Sequence, residues 1–388
     1  MARSDKAPII ELPVKITLSS EGVEWYIRNK RKLARLRMAD NSQAYGMSLP
    51  NFSATTLQKM IDIDYVSGVE IARAEFSDKR AEIIDLSKLI VYHVLYRAFA
   101  REAYTAFLHS PLIQRYNRAH PTRIIDESST FNATQMDALK KSCAPDIPLV
   151  SGDIQESLVA EIRGDGRLTE DEKDILCFLA DKYVISMRDI MWCMLARSRG
   201  DAEYTTLVQQ LCSLLRLFLD KSRVAEYLAL MITELLTYVE SLQYKEVARR
   251  LHPELRGKVD VLRNPGLRQE VVQHMRQENE YLYLTYYVSS RGPSVGTENK
   301  LRIVVFNQAR EYVKMKAQIE DKTVISVGEK SLMDFYKRTP PEELDTELGL
   351  YYLSYLQAEC AKCNVHLESR VSEIPANDLT VINLSMAF

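Results

Sequence analysis

The sequence predicts an α+β protein: helical N-terminal and middle regions, then a C-terminal α/β-sandwich-like domain with a mixed sheet. Three observations carry that expectation. Only 13 of the 388 residues are glycine, while Leu, Ala, Glu, Arg and Lys are abundant, which favours helix. In the middle of the chain apolar residues recur at three- and four-residue steps, as in Leu207, Leu211, Leu214, Leu215 and Phe218. After Tyr281 the apolar period shortens to about two, that of a strand.

The composition is that of an ordinary globular protein, with 46% hydrophobic and 27% charged residues. A net charge of −2 exerts no global pull towards nucleic acid or acidic lipid. There is no N-terminal apolar run and no apolar stretch of membrane-spanning length, so neither secretion nor membrane insertion is expected and a cytoplasmic location fits. Six cysteines, at 143, 177, 193, 212, 360 and 363, are scattered, several inside apolar helical runs. That placement suits reduced, buried thiols better than a disulfide framework.

Residues 1–150 read as a mainly helical domain with a loop-rich end. Pro13 to Ser19 is a short strand, and a helix is expected from Glu21 to Met38. Its second half is basic (Arg28, Lys30, Arg31, Lys32, Arg35, Arg37), but no aromatic residues interleave those cations to stack on bases. A solvated face is therefore the favoured reading, and a nucleic-acid partner is not expected. Residues 39–53 read as loop and 54–108 as helix, with Leu86, Leu89, Ile90 and Val94 on one face. His93 lies beside that face and is followed by Val94 rather than an acidic residue, so it reads as a packed helix residue, not a phosphoacceptor. Pro111, Pro121, Pro145 and Pro148 mark loop and linker, with one short helix from Thr130 to Lys141 and a boundary near residue 150.

Residues 151–224 read as a helical middle region. Glu161 to Glu172 resembles a calcium loop from Asp165 and Gly166 onwards, but Arg163 sits where a ligand oxygen is needed. The simpler reading is a turn followed by a capping box, with Thr169 as N-cap and Glu172 three residues on. The apolar stripe continues from Val224 to Val247 through Leu228, Met231, Leu235 and Leu242. Such stripes are mostly core or helix–helix interface. A protein partner is expected, and helices over 202–247 are the candidate seam of a homodimer.

His252 to Gly266 is a basic, proline-containing break, after which Leu267 to Glu280 returns to helix. Tyr281 to Val288 and Leu301 to Phe306 read as strands, and Ser290 to Asn299 as the loop between them. From Gly349 a helix is expected, with Leu350, Leu353, Leu356 and Cys360 on one face and Asn364 at its end. Val365 to Arg370 and Thr380 to Ala387 then alternate as two strands that can pair antiparallel. Cys360, Cys363 and His366 have Cys-x-x-Cys-x-x-His spacing, but a closed zinc site needs a fourth ligand, so no metal is assigned.

The run Gly349-Leu-Tyr-Tyr-Leu-Ser-Tyr-Leu-Gln-Ala-Glu359, followed by two strands, resembles the end of a histidine-kinase-type (GHKL) ATPase domain. Over residues 225–388 the resemblance extends to Met231–Tyr238, to Ile303–Gln308 and to Phe335–Arg338. It implies a degenerate nucleotide pocket at Glu234, Tyr238, Phe306, Asn307 and Gly349. Tyr238 stands where the family has a Mg²⁺-binding Asn, and Phe306 where it has the Asp that binds the adenine amine. Asp345 and Glu347 replace two glycines of the phosphate turn, and only Gly349 is kept. The resemblance therefore implies no catalytic residue and no required cofactor, with ATP the one ligand left open. The expected function is a non-catalytic signalling or scaffold protein acting through protein–protein contacts. The alternative is an ATP-binding regulatory protein with a rebuilt pocket.

Overall fold

The computed structural model describes residues 9–122, 124–126, 133–255, 261, 264–289, 300–307, 355–374 and 379–388. In order, the strands and helices are β1 (Ile9–Ile10), β2 (Val14–Leu18), α1 (Ser20–Arg28), β3 (Ala34–Arg37), β4 (Gln43–Leu49), β5 (Phe52–Ser53), α2 (Ala54–Asp62), β6 (Val66–Arg73) and α3 (Arg80–Leu108). Six helices follow: α4 (Pro111–Ala119), α5 (Ala133–Cys143), α6 (Ile147–Gly164), α7 (Glu170–Ser186), α8 (Asp189–Arg197) and α9 (Ala202–Leu251). Then come α10 (Pro265–Glu278), β7 (Leu282–Ser289), β8 (Lys300–Asn307), a helical segment over 355–362, β9 (His366–Ile374) and β10 (Leu379–Ala387). The layout is α+β. Among the described residues no helix is long and apolar enough to cross a membrane.

The chain divides into two units. Among the described residues, one takes those up to Val94 and from Val224 onward, and the other takes those from Leu95 to Arg223. Both boundaries fall inside long helices, α3 and α9, and residue 150 lies within α6.

The first unit is built on an eight-stranded sheet of order β3-β4-β2-β6-β7-β8-β10-β9, and every described pairing in it is antiparallel. Pairing of β6 with β7 joins four N-terminal and four C-terminal strands. One face is apolar: Ile16, Val69, Tyr286, Ile303 and Leu384 lie opposite one another strand by strand, all buried. Helix α3 covers it, with the Ser87 and Tyr286 hydroxyls hydrogen-bonded across the gap. Alongside α3 runs α9, tied to it by Lys88–Glu226 at 3.3 Å and by Arg80–Glu234. A further apolar cluster packs Tyr244 and Val247 of α9 against Val271, Val272 and Met275 of α10. Close strand approach fixes one glycine: a Cβ on Gly46 would lie 1.9 Å from the Ile16 carbonyl oxygen.

Sequence and structure differ most before residue 80. The helix expected over 21–38 ends at Arg28, because Lys30 takes a left-handed conformation (φ 53°) and turns the chain. Ala34–Arg37 then alternates as β3, with Leu36 buried between exposed arginines. The expected loop over 39–53 holds β4, and the expected helix over 54–108 is interrupted by β6. In β6, Val66 and Gly68 to Ile71 are all buried, so no polar alternation marks it as a strand. The short helix expected over Thr130–Lys141 is α5. The two C-terminal strands pair antiparallel as expected, though β9 runs on to Ile374, past the expected strand end at Arg370, and Asn364 closes the helix over 355–362 in the left-handed conformation (φ 55°). Residues 350–354, and with them the expected helix start, lie outside the described residues.

The second unit is helical. Val150, Ile154, Leu158 and Ile162 form the buried face of α6. Aromatic packing is dense, with Phe99 and Tyr183 edge-to-face at 3.9 Å between ring centroids and Phe218 at 5.2 Å from Phe99. Thr169 and Glu172 form the capping box at the start of α7. Here the stripe residues Leu207, Leu211, Leu215 and Phe218 are buried; in the first unit Leu228, Met231 and Leu235 are. The two helices expected over 202–247 are one continuous helix, and its apolar stripe is taken up by the cores of the units themselves.

Candidate functional site

The positions implied by the resemblance fall on α9 and β8. Glu234 projects from α9 to the Arg80 guanidinium at the start of α3, and its side chain is 17% exposed. One turn on, Tyr238 is buried. Between the two helices Phe76, Ser77, Arg80, Ile83, Thr233, Leu236 and Thr237 line a small cavity. Glu234 and Tyr238 are thus one helical turn apart, as their spacing requires, but the carboxylate is already engaged by a cation.

Phe306 and Asn307 are successive residues of a strand and point to opposite faces. Phe306 joins Val304 and Val381, with Tyr283, Tyr287 and Ile374 around them, on the sheet face opposite α3. Asn307 lies on the face of Ile303 and Val305, the face that packs on helix, and is 1% exposed. Among the described residues neither its carboxamide oxygen nor its nitrogen has a hydrogen-bond partner. A buried, unsatisfied carboxamide is costly, about 1–3 kcal/mol per group. Gly349 lies outside the described residues, as do Asp345 and Glu347.

Two buried carboxylates, not anticipated from sequence, organise the surroundings. Glu240 of α9 accepts from the Phe76 N–H at 2.9 Å, the Ser77 N–H at 3.1 Å and the Ser77 hydroxyl at 2.6 Å. It therefore caps the 3₁₀ turn over Ser77–Lys79 that leads into α3, where an anion is favoured by the N-terminal dipole. Arg268 approaches it to 3.6 Å and also binds Glu75. Tyr244, one turn further along α9, donates to the Ala74 carbonyl at 3.2 Å. Burial, with Glu240 beside it, pushes the Tyr244 hydroxyl well above its usual acidity range. The second carboxylate, Glu70, accepts from Lys15 Nζ at 2.9 Å, from the Ala39 N–H at 3.0 Å and from the Thr285 hydroxyl at 3.3 Å. A signal for Glu240 does exist in the sequence: it interrupts the apolar stripe Leu236, Tyr244, Val247 at helical spacing.

The remaining candidates resolve as structural residues. His93 is buried on α3 with Nδ1 2.7 Å from Asp62 at the end of α2. Glu172 accepts from the Thr169 N–H at 2.8 Å, and Arg163 pairs with Asp174 at 2.6 Å. Cys360 and Cys363 are buried while His366 points to solvent beside Glu368, so the three do not converge. Burial pushes the Cys360 thiol up to about 12 and the Cys193 thiol up to about 11. None of the six cysteines is in a disulfide. Among the described residues no group of three Cys, His, Asp or Glu side chains is arranged to hold a metal ion. In the basic segment, Arg31 stacks over Trp25 at 5.0 Å and Arg28 pairs with Glu24.

A family model described as "Family of unknown function (DUF8084)" matches residues 5–388. A protein of Treponema pallidum (strain Nichols), titled "Uncharacterized protein", is 31% identical over 389 residues, covering 100% of both chains. No solved structure matches the chain.

Proposed function

The chain belongs to the DUF8084 family, and we propose that it is a non-catalytic signalling or scaffold protein on a histidine-kinase-type ATPase-like fold, acting through protein–protein contacts. The succession α9, β7, β8, helix, β9, β10 supports the reading, with α10 an insertion between α9 and β7 that departs from the family's order. One observation carries the non-catalytic reading: Glu234 is bound to Arg80, and the residue one turn on is a buried tyrosine. A Mg²⁺-triphosphate needs hard oxygen ligands and neutralising donors. This pair offers one carboxylate, already neutralised, and a phenol. The chain's residues here do not fit that ion.

The test is phosphate release from Mg²⁺-ATP together with transfer of labelled phosphate to the protein. Neither is expected above the blank. Turnover that is lost in Glu234→Gln would overturn the reading.

Asn307 favours a second reading, a regulatory protein that binds ATP in a rebuilt pocket. Its buried carboxamide offers a donor and an acceptor side by side, the pattern that matches the amine and ring-nitrogen edge of adenine. In that reading Asn307 takes the role the resemblance gives to position 306. Mg²⁺-dependent chemistry would still be absent.

A further inference from the structure

We propose that β9 is the docking edge for a second copy of this chain, pairing antiparallel with itself about a two-fold axis at Ser369. The inference stands independently of the proposed function, since it uses neither the pocket positions nor the ATPase resemblance. Strand β9 ends the eight-stranded sheet, and β10 is its one neighbour among the described residues. Its nine residues present, towards that edge, a row of backbone donors and acceptors that no described strand pairs, a template for another strand.

The side chains decide what that strand can be. His366, Glu368 and Arg370 lie on one face of β9 and are exposed, with Leu367, Ser369 and Val371 on the other. In a sheet that continues through a two-fold axis, each residue faces a residue of the same parity; otherwise the apolar face meets the polar one. This leaves few registers. With the axis at Glu368, two glutamates face each other. With the axis at Arg370, two arginines do. With the axis at Ser369, Glu368 faces Arg370 of the second copy and Arg370 faces its Glu368. On the opposite face Leu367 meets Val371 in the same way, and His366 meets Ser372 at the ends. With the axis at Val371, Arg370 faces Ser372 and no opposite charges meet.

Only the Ser369 register joins opposite charges twice and apolar residues twice. Among the described residues Arg370 has no carboxylate partner within its own chain, while Glu368 is shared only with His366 at 3.1 Å. Charges on an edge strand usually serve to keep other strands away. This set repels strands in the neighbouring registers and admits itself in one.

The experiment is sedimentation velocity on the full chain across a concentration series, with circular dichroism to confirm folding. The wild type should show a monomer–dimer equilibrium. Glu368→Arg and Arg370→Glu should each weaken the dimer at least tenfold (about 1.4 kcal/mol), since each turns two attractive pairs into two like-charge pairs. An equimolar mixture of the two single variants should associate again, because every facing pair is then Arg against Glu. The double variant Glu368→Arg/Arg370→Glu should likewise regain the wild-type equilibrium. A wild type that stays monomeric at high micromolar concentration would overturn the proposal. So would single variants that dimerise as the wild type does, or a mixture and a double variant that remain as weak as the single variants.

Discussion

The Glu240 carboxylate on α9 receives the Ser77 hydroxyl at 2.6 Å, joining two residues 163 positions apart in sequence. With the N–H groups of Phe76 and Ser77 on the same carboxylate, it locks the β6–α3 junction onto α9. Glu240→Ala leaves two backbone donors and Arg268 without that anion. Hydrogen bonds to charged groups contribute about 1.5–3 kcal/mol each, and an unsatisfied buried donor costs about 1–3. The expected loss is about 3–5 kcal/mol in urea unfolding, against about 1 kcal/mol for Ser77→Ala. Equal effects would mean that the carboxylate is not the organising group.

Glu70 and Lys15 are expected to behave non-additively. Glu70→Met takes the carboxylate from the Ala39 and Thr285 donors and leaves the half-buried Lys15 ammonium group with the Arg37 carbonyl as its acceptor. Breaking one partner of a buried pair costs about 3–5 kcal/mol, whereas replacing both by apolar groups is often near neutral. The double variant Lys15→Met/Glu70→Met should therefore be more stable than Glu70→Met alone. Simple additivity in a double-mutant cycle would show that the pair is not coupled.

The capping box predicts a stability effect without a metal effect. Thr169→Ala should cost about 1 kcal/mol, and Glu172→Ala a similar or smaller amount. Calorimetric titration with Ca²⁺ should give no sub-micromolar site, because the Glu172 carboxylate is bonded to Thr169 and Arg163 is a cation within the would-be loop. Tight calcium binding lost on Glu172→Ala would reverse this reading.

His252 sits between Glu270 at 3.1 Å and Glu254 at 3.2 Å, and those hydrogen bonds raise its pKa above the ordinary 6.5. A raised folded-state pKa means the protonated form binds better in the fold. Its contribution is fully present below the unfolded pKa and is lost as pH rises through the folded value. NMR titration of the imidazole should give a value above 6.5 that returns towards it in Glu270→Gln. A titration at or below the ordinary value in the wild type would contradict the geometry.

What was legible in the sequence followed from contrast between neighbours. Strands β7, β8 and β10 and the Asn364 cap stood out because their period or punctuation changed abruptly. Strand β6 did not, since Val69, Glu70 and Ile71 are buried on both faces of a central strand and show no alternation. The apolar stripes over 207–218 and 224–247, expected on separate helices, lie on one continuous helix, α9. The site was legible only as positions. Spacing placed Glu234 and Tyr238 on adjacent turns, but the Arg80 partner comes from 154 residues away and no local pattern announces it. Likewise, Phe306 and Asn307 are neighbours in β8 and so lie on opposite faces of the sheet, and no local pattern says what covers each face.

Calorimetric titration of Mg²⁺-ATP into the full chain tests the central claim most directly. Loss of a charge-assisted hydrogen bond weakens binding by about 1.5–3 kcal/mol, roughly ten- to a hundredfold, and engagement of Glu234 by Arg80 removes a ligand for the ion as well. The account predicts no saturable heat with Mg²⁺-ATP and no rise in melting temperature. Micromolar binding that is abolished in Asn307→Leu, with the variant still folded, would contradict it and establish a nucleotide-binding protein instead.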